Sequence, residues 1–308
     1  MEYTTLGKTG LKVSRMGLGC GGHSRLGLGT GKSEADAVAI VKQALSLGVT
    51  FIDTAESYGT EVAVGKGIEG FARDQLVIST KAGIGWQDRN ATRAEMRERV
   101  NACLTRLGTE WIDVFHLHGV RVENYAYGRD ELVPELVKLK EEGKIRFIGI
   151  TEAFGPDPRH QMLTPAVEDD CWEVVMVGFN ILNQSARDRI LETTQRKGIG
   201  TLCMFAVRRA LSNPESLRKV VGELVEAGEV DRDAVDLADP LGFLEGSVTE
   251  AAYRFARHEA GLDVILSGTG DLQHLRENAA SINAPPLPPA TVERLRAIFG
   301  RVDSVSGN

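Results

Sequence analysis

A single (β/α)₈ barrel is the fold this sequence predicts, on three observations. Short apolar runs alternate with longer stretches of helical period, and a glycine closes most of those stretches before the next run begins. Eight such runs can be counted along the chain. A brief hairpin pattern precedes the first run, and one unusually long connection, residues 206–262, follows the seventh. A length of 308 residues is within reach of one barrel domain, and no linker-like composition divides residues 1–308 into two.

Taken in order, TTLGKTGLKVS near the N-terminus reads as two short strands around a Gly-Lys-Thr-Gly turn, suited to plug one end of a barrel. The eight runs then fall at residues 16–19, 50–54, 76–81, 114–118, 147–151, 174–179, 200–205 and 264–267. Between them, Ser33 with Asp36, Thr92 with Glu95 and Ser247 with Glu250 have the spacing of a capping box, in which a side-chain oxygen and a carboxylate satisfy each other's backbone N–H. After Thr92, the residues Met96, Val100, Cys103, Leu104 and Leu107 share one helical face, and Gly108 can supply the left-handed stop. Gly48, Gly143, Gly198 and Gly261 are expected to end other helices in the same way. The connection 206–262 holds a helix at 214–227 and the irregular DLADPLGFLEG, and a loop this long is expected to shape a substrate pocket. PPLPPATVERLRAIFG predicts one extra C-terminal helix, and residues 303–308 are expected to lack fixed structure. Periodicity alone leaves an open doubly wound sheet as the other solution; the hairpin plug and the long connection favour the closed one.

Composition narrows the function classes. Thirty-six Lys and Arg against 43 Asp and Glu give a net charge of −7 with no basic patch, which disfavours nucleic acid as a partner. No run of eighteen apolar residues and no basic-apolar leader occurs, so no membrane span or signal peptide is expected and the address read from the chain is cytoplasmic. Cys20, Cys103, Cys171 and Cys203 are widely spaced, without a CxxC pair, and read as reduced thiols.

In a barrel, chemistry gathers at the C-terminal ends of the strands. Asp53 and Tyr58 in FIDTAESYG, Lys81 in STKAG and His118 in DVFHLHG all fall there. A carbonyl that accepts a hydride develops negative charge on oxygen and needs a proton in the same step. Tyr58 can give it; Lys81 is expected to lower the phenol's pKa from about 10 by stabilising the phenolate. Asp53 would anchor the lysine, and His118 would orient the carbonyl oxygen.

These three segments, in this order and at strand ends, resemble the signature segments of the aldo-keto reductases, and LGKTGLKVS resembles that family's opening hairpin. The likeness runs from the first residues to about Asn278 and weakens between Ala206 and Leu262. It implies that Asp53, Tyr58, Lys81 and His118 form a catalytic tetrad, and that the partner is a small carbonyl compound or the corresponding alcohol. The cofactor implied is NADP(H), with NAD(H) possible, lying extended across the barrel mouth. Where relatives hold the nicotinamide amide with Ser, Asn and Gln, this chain has Thr151, Glu152 and Met176; Thr151 can still hydrogen-bond, whereas Met176 cannot replace an amide. Where many relatives stack an aromatic ring on nicotinamide, this chain offers Met204 or Phe205, of which Phe205 is favoured, and Arg208 and Arg209 are placed to reach the pyrophosphate. SGTGDLQHLRENA resembles the segment around the adenosine phosphate, so Gly268, Thr269, His274, Glu277 and Asn278 are cofactor candidates. Gly268 and His274 stand where basic residues often bind the 2′-phosphate, and Asp271 adds a negative charge nearby. Trp86, Tyr125 and Tyr127 are the candidates for walling the substrate site.

Three competing readings accompany these. GLGCGG at 17–22 satisfies GxGxxG after a strand, but the next helix cap is Ser33, far beyond the third glycine. His116 and His118 form an HxH pair of the kind that chelates zinc in barrel hydrolases, yet His23, His160, His258 and His274 fall in loops or helices, so no metal is expected. A barrel that keeps its cofactor and serves as a regulatory partner without significant turnover is the non-enzyme alternative.

Overall fold

A computed structural model describes residues 1–85 and 89–308. Two short strands, β1 (Tyr3–Thr5) and β2 (Lys12–Ser14), pair antiparallel with Tyr3 opposite Ser14. The next eight are β3 (Met16–Gly19), β4 (Phe51–Asp53), β5 (Val77–Gly83), β6 (Ile112–Val120), β7 (Ile145–Glu152), β8 (Val174–Gly178), β9 (Gly200–Met204) and β10 (Val264–Ser267). They pair in parallel, and β10 returns to β3 to close the barrel. Closure settles the choice that periodicity left open, and the GxGxxG segment is a strand and loop of this barrel. The extra helix is Pro289–Phe299, whose Leu295, Ile298 and Phe299 are buried.

The helix signals act as their chemistry dictates. Ser33 and Thr92 each complete a reciprocal capping box. Ser247 accepts from the Glu250 N–H, which is the half of the box that holds the helix start. Gly108 and Gly198 end their helices in the left-handed region, at φ of 62° and 67°. On the helix Arg93–Leu107 the predicted stripe packs inward, with Met96, Val100, Cys103 and Leu107 buried.

Two apolar layers result. One lies between strands and helices; the other fills the barrel, where Phe51, Val77, Val114, Val174, Leu202 and Val264 meet Leu6, Leu11 and Val13 from the hairpin. The plug fits closely. Lys8 N–H donates to the Gly198 carbonyl at 2.7 Å, and a β-carbon at Gly7 (φ 47°) would meet Gly200 N at 2.3 Å. One end of the barrel is therefore closed by packing, which leaves the other end for polar groups.

Residues 303–308 correct the expectation of a structureless tail. Asn180 and Asn183 donate to the carbonyls of Ser306 and Val305 at 3.1 and 2.9 Å. Ala210 N–H donates to Gly307 O at 3.0 Å, and Asp303 pairs with Arg159 and Arg189. Backbone carbonyls met by buried amide side chains hold a segment that composition marks as loose.

Candidate active site

The C-terminal strand ends bring the four predicted residues together. Asp53 ends β4 and Lys81 lies in β5, both buried. Lys81 Nζ donates to Asp53 Oδ2 at 2.7 Å and to Thr54 O at 2.6 Å, while Ser79 Oγ donates to Asp53 Oδ1 at 2.8 Å. Tyr58 follows on a single 3₁₀ turn, Glu56–Tyr58. Its Oη lies 3.3 Å from His118 Nε2, and Lys81 Nζ is 4.9 Å from its ring centre. His118 projects from β6 with its ring edge-on to Tyr58, the centroids 5.5 Å apart. Alternation along β6 puts Val114, His116 and His118 on the inward face.

Burial governs the protonation states. Burial depresses the Lys81 ammonium, but the Asp53 carboxylate and the Tyr58 oxygen outweigh it and leave the lysine pKa raised. Burial lifts the Asp53 carboxyl against the pull of Lys81. For Tyr58 the expectation of a lowered pKa is corrected: burial pushes the phenol up, and Lys81 only opposes the rise. The phenol thus keeps its proton in the free protein, as a donor must. His118 is pushed down to about 3 by burial and by Lys81 and Arg99, so its ring is neutral.

Above the tetrad opens a cleft of about 1030 Å³, whose lining runs from Asp53, Tyr58, Met176 and Phe205 to Glu277, Asn278 and Ser281. That volume lies at the upper end of ordinary ligand pockets. Phe205, Arg208, Gly268, Thr269, His274, Glu277 and Asn278 all line it. A β-carbon at Gly268 would meet the Gly19 carbonyl oxygen at 2.5 Å, so two backbones meet there with no room for a side chain. Both residues offered for the ring position, Met204 and Phe205, line the cleft, whereas sequence reading missed Ser212, Thr249 and Tyr253, each in the region where the resemblance fades.

Three candidates are placed elsewhere. Thr151 is buried, its Oγ1 accepts the Gly119 N–H at 2.7 Å, and its register partner Met176 lines the cleft instead. Tyr125 is buried, with its hydroxyl bonded to Asp169 and accepting from Trp172 Nε1 at 3.0 Å. Tyr127 donates to the Ala91 carbonyl at 2.9 Å. After β6 the chain turns at once into the helix Val122–Tyr127, which packs both rings against neighbouring segments and away from the cleft lining. Trp86 lies outside the described residues.

Among the described residues no group of three or more His, Cys, Asp or Glu side chains is assembled that could hold a metal ion. Burial, Lys81 and His118 push the His116 ring well below its ordinary pKa. Among the described residues no helix is long and apolar enough to cross a membrane.

A closed parallel barrel carrying a Tyr, Lys, Asp and His cluster under a long cleft is the architecture of a carbonyl-reducing oxidoreductase. The profile of the aldo/keto reductase family matches residues 15–299, and the chain belongs to that family. It is 26% identical over 311 residues to the uncharacterized oxidoreductase YqkF of Bacillus subtilis (strain 168), covering 96% of each. Over 289 residues it is 28% identical to L-galactose dehydrogenase of Arabidopsis thaliana, covering 92% of this chain and 88% of that one. In fold it is similar to aldo-keto reductase AKR11C1 from Bacillus halodurans in its holo form, with a TM-score of 0.76 at 22% identity over 99% of this chain and 98% of the other. The protein is an NAD(P)H-dependent oxidoreductase of carbonyl compounds, and nothing in these comparisons supports the hydrolase or non-enzyme alternatives.

Proposed function

We propose that Tyr58 is the proton donor of this reductase, with Lys81 as its activator, Asp53 as the lysine's anchor and His118 as the group that orients the substrate oxygen. A bound nicotinamide dinucleotide supplies the hydride. As negative charge builds on the carbonyl oxygen, Tyr58 passes its proton to that oxygen and the Lys81 ammonium stabilises the phenolate left behind. Neutral His118 has one ring N–H to give, and its position 3.3 Å from Tyr58 Oη lets both groups converge on one oxygen. The observation that carries this reading is the convergence of the four: Tyr58 lines the cleft with its Oη against His118, and Lys81, tied to Asp53, lies 4.9 Å from its ring centre.

The cleft fits the cofactor by its donor set. Arg208 and Arg209 offer cations in the lining, and where Gly19 and Gly268 approach closely the wall is backbone. Family likeness favours NADPH. The helix Leu272–Ile282 works the other way, because its first-turn N–H groups at Gln273 and His274 already donate to Asp271 Oδ1 at 2.8 and 3.0 Å. A carboxylate thus holds the place where a 2′-phosphate would gain most. The expected outcome is weak discrimination, with NADPH and NADH dissociation constants within about tenfold of each other. The four cysteines, unpaired among the described residues, fit a cytoplasmic address. The substrate is a small aldehyde or ketone, or the alcohol in the reverse direction, and the region 206–262 helps select it through Val207, Ser212 and Tyr253.

The test is a fluorescence-quenching titration with each dinucleotide, followed by turnover of Tyr58→Phe. Binding with lost turnover supports the assignment; parental turnover in the variant overturns the role of Tyr58.

A further inference from the structure

Behind the cleft wall lies a buried acid and base that the chemistry above does not use. Glu152 ends β7 with its side chain fully buried, and both its oxygens lie within 3.0 Å of His160 Nδ1. Glu152 Oε1 also accepts the Gly178 N–H at 2.7 Å. Among the described residues His160 Nε2 has no partner, so Glu152 is the ring's one directional tie. The His160 ring stacks on Phe154 at 5.2 Å and 14°, and Phe154 in turn meets Phe205 at 5.8 Å and 58°. Phe205 lines the cleft beside Asp53, Tyr58 and Met176, with the Arg208 guanidinium 3.7 Å from its ring centre.

Two features mark this ladder as more than packing. His160 and Phe205, its ends, both sit at positive φ, 56° and 67°, which costs a residue with a side chain conformational energy and persists only where the surroundings impose it. Asn180 imposes part of it by donating to the Phe205 carbonyl at 3.2 Å. The middle rung lies directly over Gly178, where a β-carbon would come within 2.2 Å of the Phe154 ring, so the ring's seat there depends on the absence of a side chain. A buried carboxyl is costly unless its oxygens are bonded, and here His160 Nδ1 and the Gly178 N–H bond them, which ties the ring's place to β7 and β8.

We propose that Glu152 and His160 are positioning residues for the cofactor: through Phe154 they fix the Phe205 ring, and the Arg208 guanidinium stacked on it, in the wall of the cleft that receives the dinucleotide. This rests on the functional reading above. It also accounts for Glu152, which stands where relatives place an amide yet is turned into the protein and bonded to His160.

The experiment is a titration of reduced dinucleotide reading both the dissociation constant and the emission spectrum of the bound nicotinamide, on the parent, His160→Ala, Phe154→Ala, Glu152→Gln and Leu6→Ala. Losing one aromatic contact should weaken binding about tenfold in His160→Ala and Phe154→Ala. Their bound emission should move towards that of free cofactor. Glu152→Gln should bind like the parent, since its amide oxygen still accepts from Gly178 and its N–H₂ can donate to Nδ1. Leu6→Ala, at the far end of the barrel, should lose stability without either change. Parental affinity and emission in the two ladder variants, or an equal loss in Leu6→Ala, overturns the inference. If His160→Ala fails to fold, Phe154→Leu replaces it, with the same two outcomes. A parent that binds neither dinucleotide overturns the functional reading and the inference with it.

Discussion

Along β4, β5 and β6 the inward residues change character within a few positions. Phe51, Val77 and Val114 face the hairpin end, whereas Asp53, Lys81 and His118 face the cleft. The same strands and register serve both layers, but the forces differ. Around Leu6, Leu11 and Val13 the fit is one of shape, and apolar contacts need no direction. At the cleft end, Lys81 and Asp53 are buried charges that are tolerable only because Thr54 O and Ser79 Oγ complete their bonds. One end can lose an atom and relax; the other loses a partner and keeps a stranded charge.

The largest effect that sharpens this contrast is on rate. Tyr58→Phe should lower kcat by roughly 10²- to 10⁴-fold while the dinucleotide dissociation constant stays put, checked by steady-state kinetics beside the quenching titration. Lys81→Met should cost about 3–5 kcal/mol of stability by stranding Asp53, and adding Asp53→Leu should restore much of it without restoring turnover. Urea unfolding of single and double variants reads this, and a double variant no better than the single would break the account of the polar layer. Leu6→Ala at the plug should cost about 2–5 kcal/mol with kcat unchanged in the folded fraction; a fall in kcat would show that the two ends are coupled.

A smaller effect comes from pH. The His118 ring titrates at about 3 in the folded chain against 6.5 ordinarily, and His116 is shifted in the same direction. Above pH 6.5 neither state takes up a proton at these rings, so their contribution to stability is complete. Below it the unfolded chain binds protons that the folded chain refuses, and stability falls as pH drops from about 6.5 towards 3. Asp53 and Glu152, whose carboxyls burial lifts, act in the opposite sense, so the informative quantity is a difference. His116→Leu should unfold with a flatter pH dependence than the parent across that window, read by denaturation midpoints. Smallest of all, Ser33→Ala removes a helix cap outside the cleft lining and should cost about 1 kcal/mol, without moving kcat or the dissociation constant.

Much of this was legible beforehand because it is local. Parallel strands buried on both faces read as short apolar runs, and Ser33, Thr92 and Gly108 mark helix ends through bonds to residues three or four away. The four were legible because Asp53, Lys81 and His118 lie at or near the C-terminal ends of three successive strands and Tyr58 follows the first of them on a 3₁₀ turn. Tyr125 and Tyr127 were misplaced because an aromatic ring after a strand carries no mark of which way the next helix turns. Thr151 was misplaced because its hydroxyl satisfies the Gly119 N–H across a neighbouring strand. The Glu152 and His160 pair spans a loop with no periodicity, and nothing in its spelling shows that Phe154 lies against Gly178.

By itself the sequence determined the alternation of strands and helices, the caps, the plug and which side chains could carry a proton, since all of these follow from short-range periodicity and residue chemistry. Tertiary structure alone decided that β10 closes on β3, that the phenol keeps its proton, and that the 303–308 tail is held. Those outcomes depend on burial and on partners far apart in the chain: Asn180 reaching Ser306, Lys81 reaching Asp53, and the desolvation that lifts Tyr58.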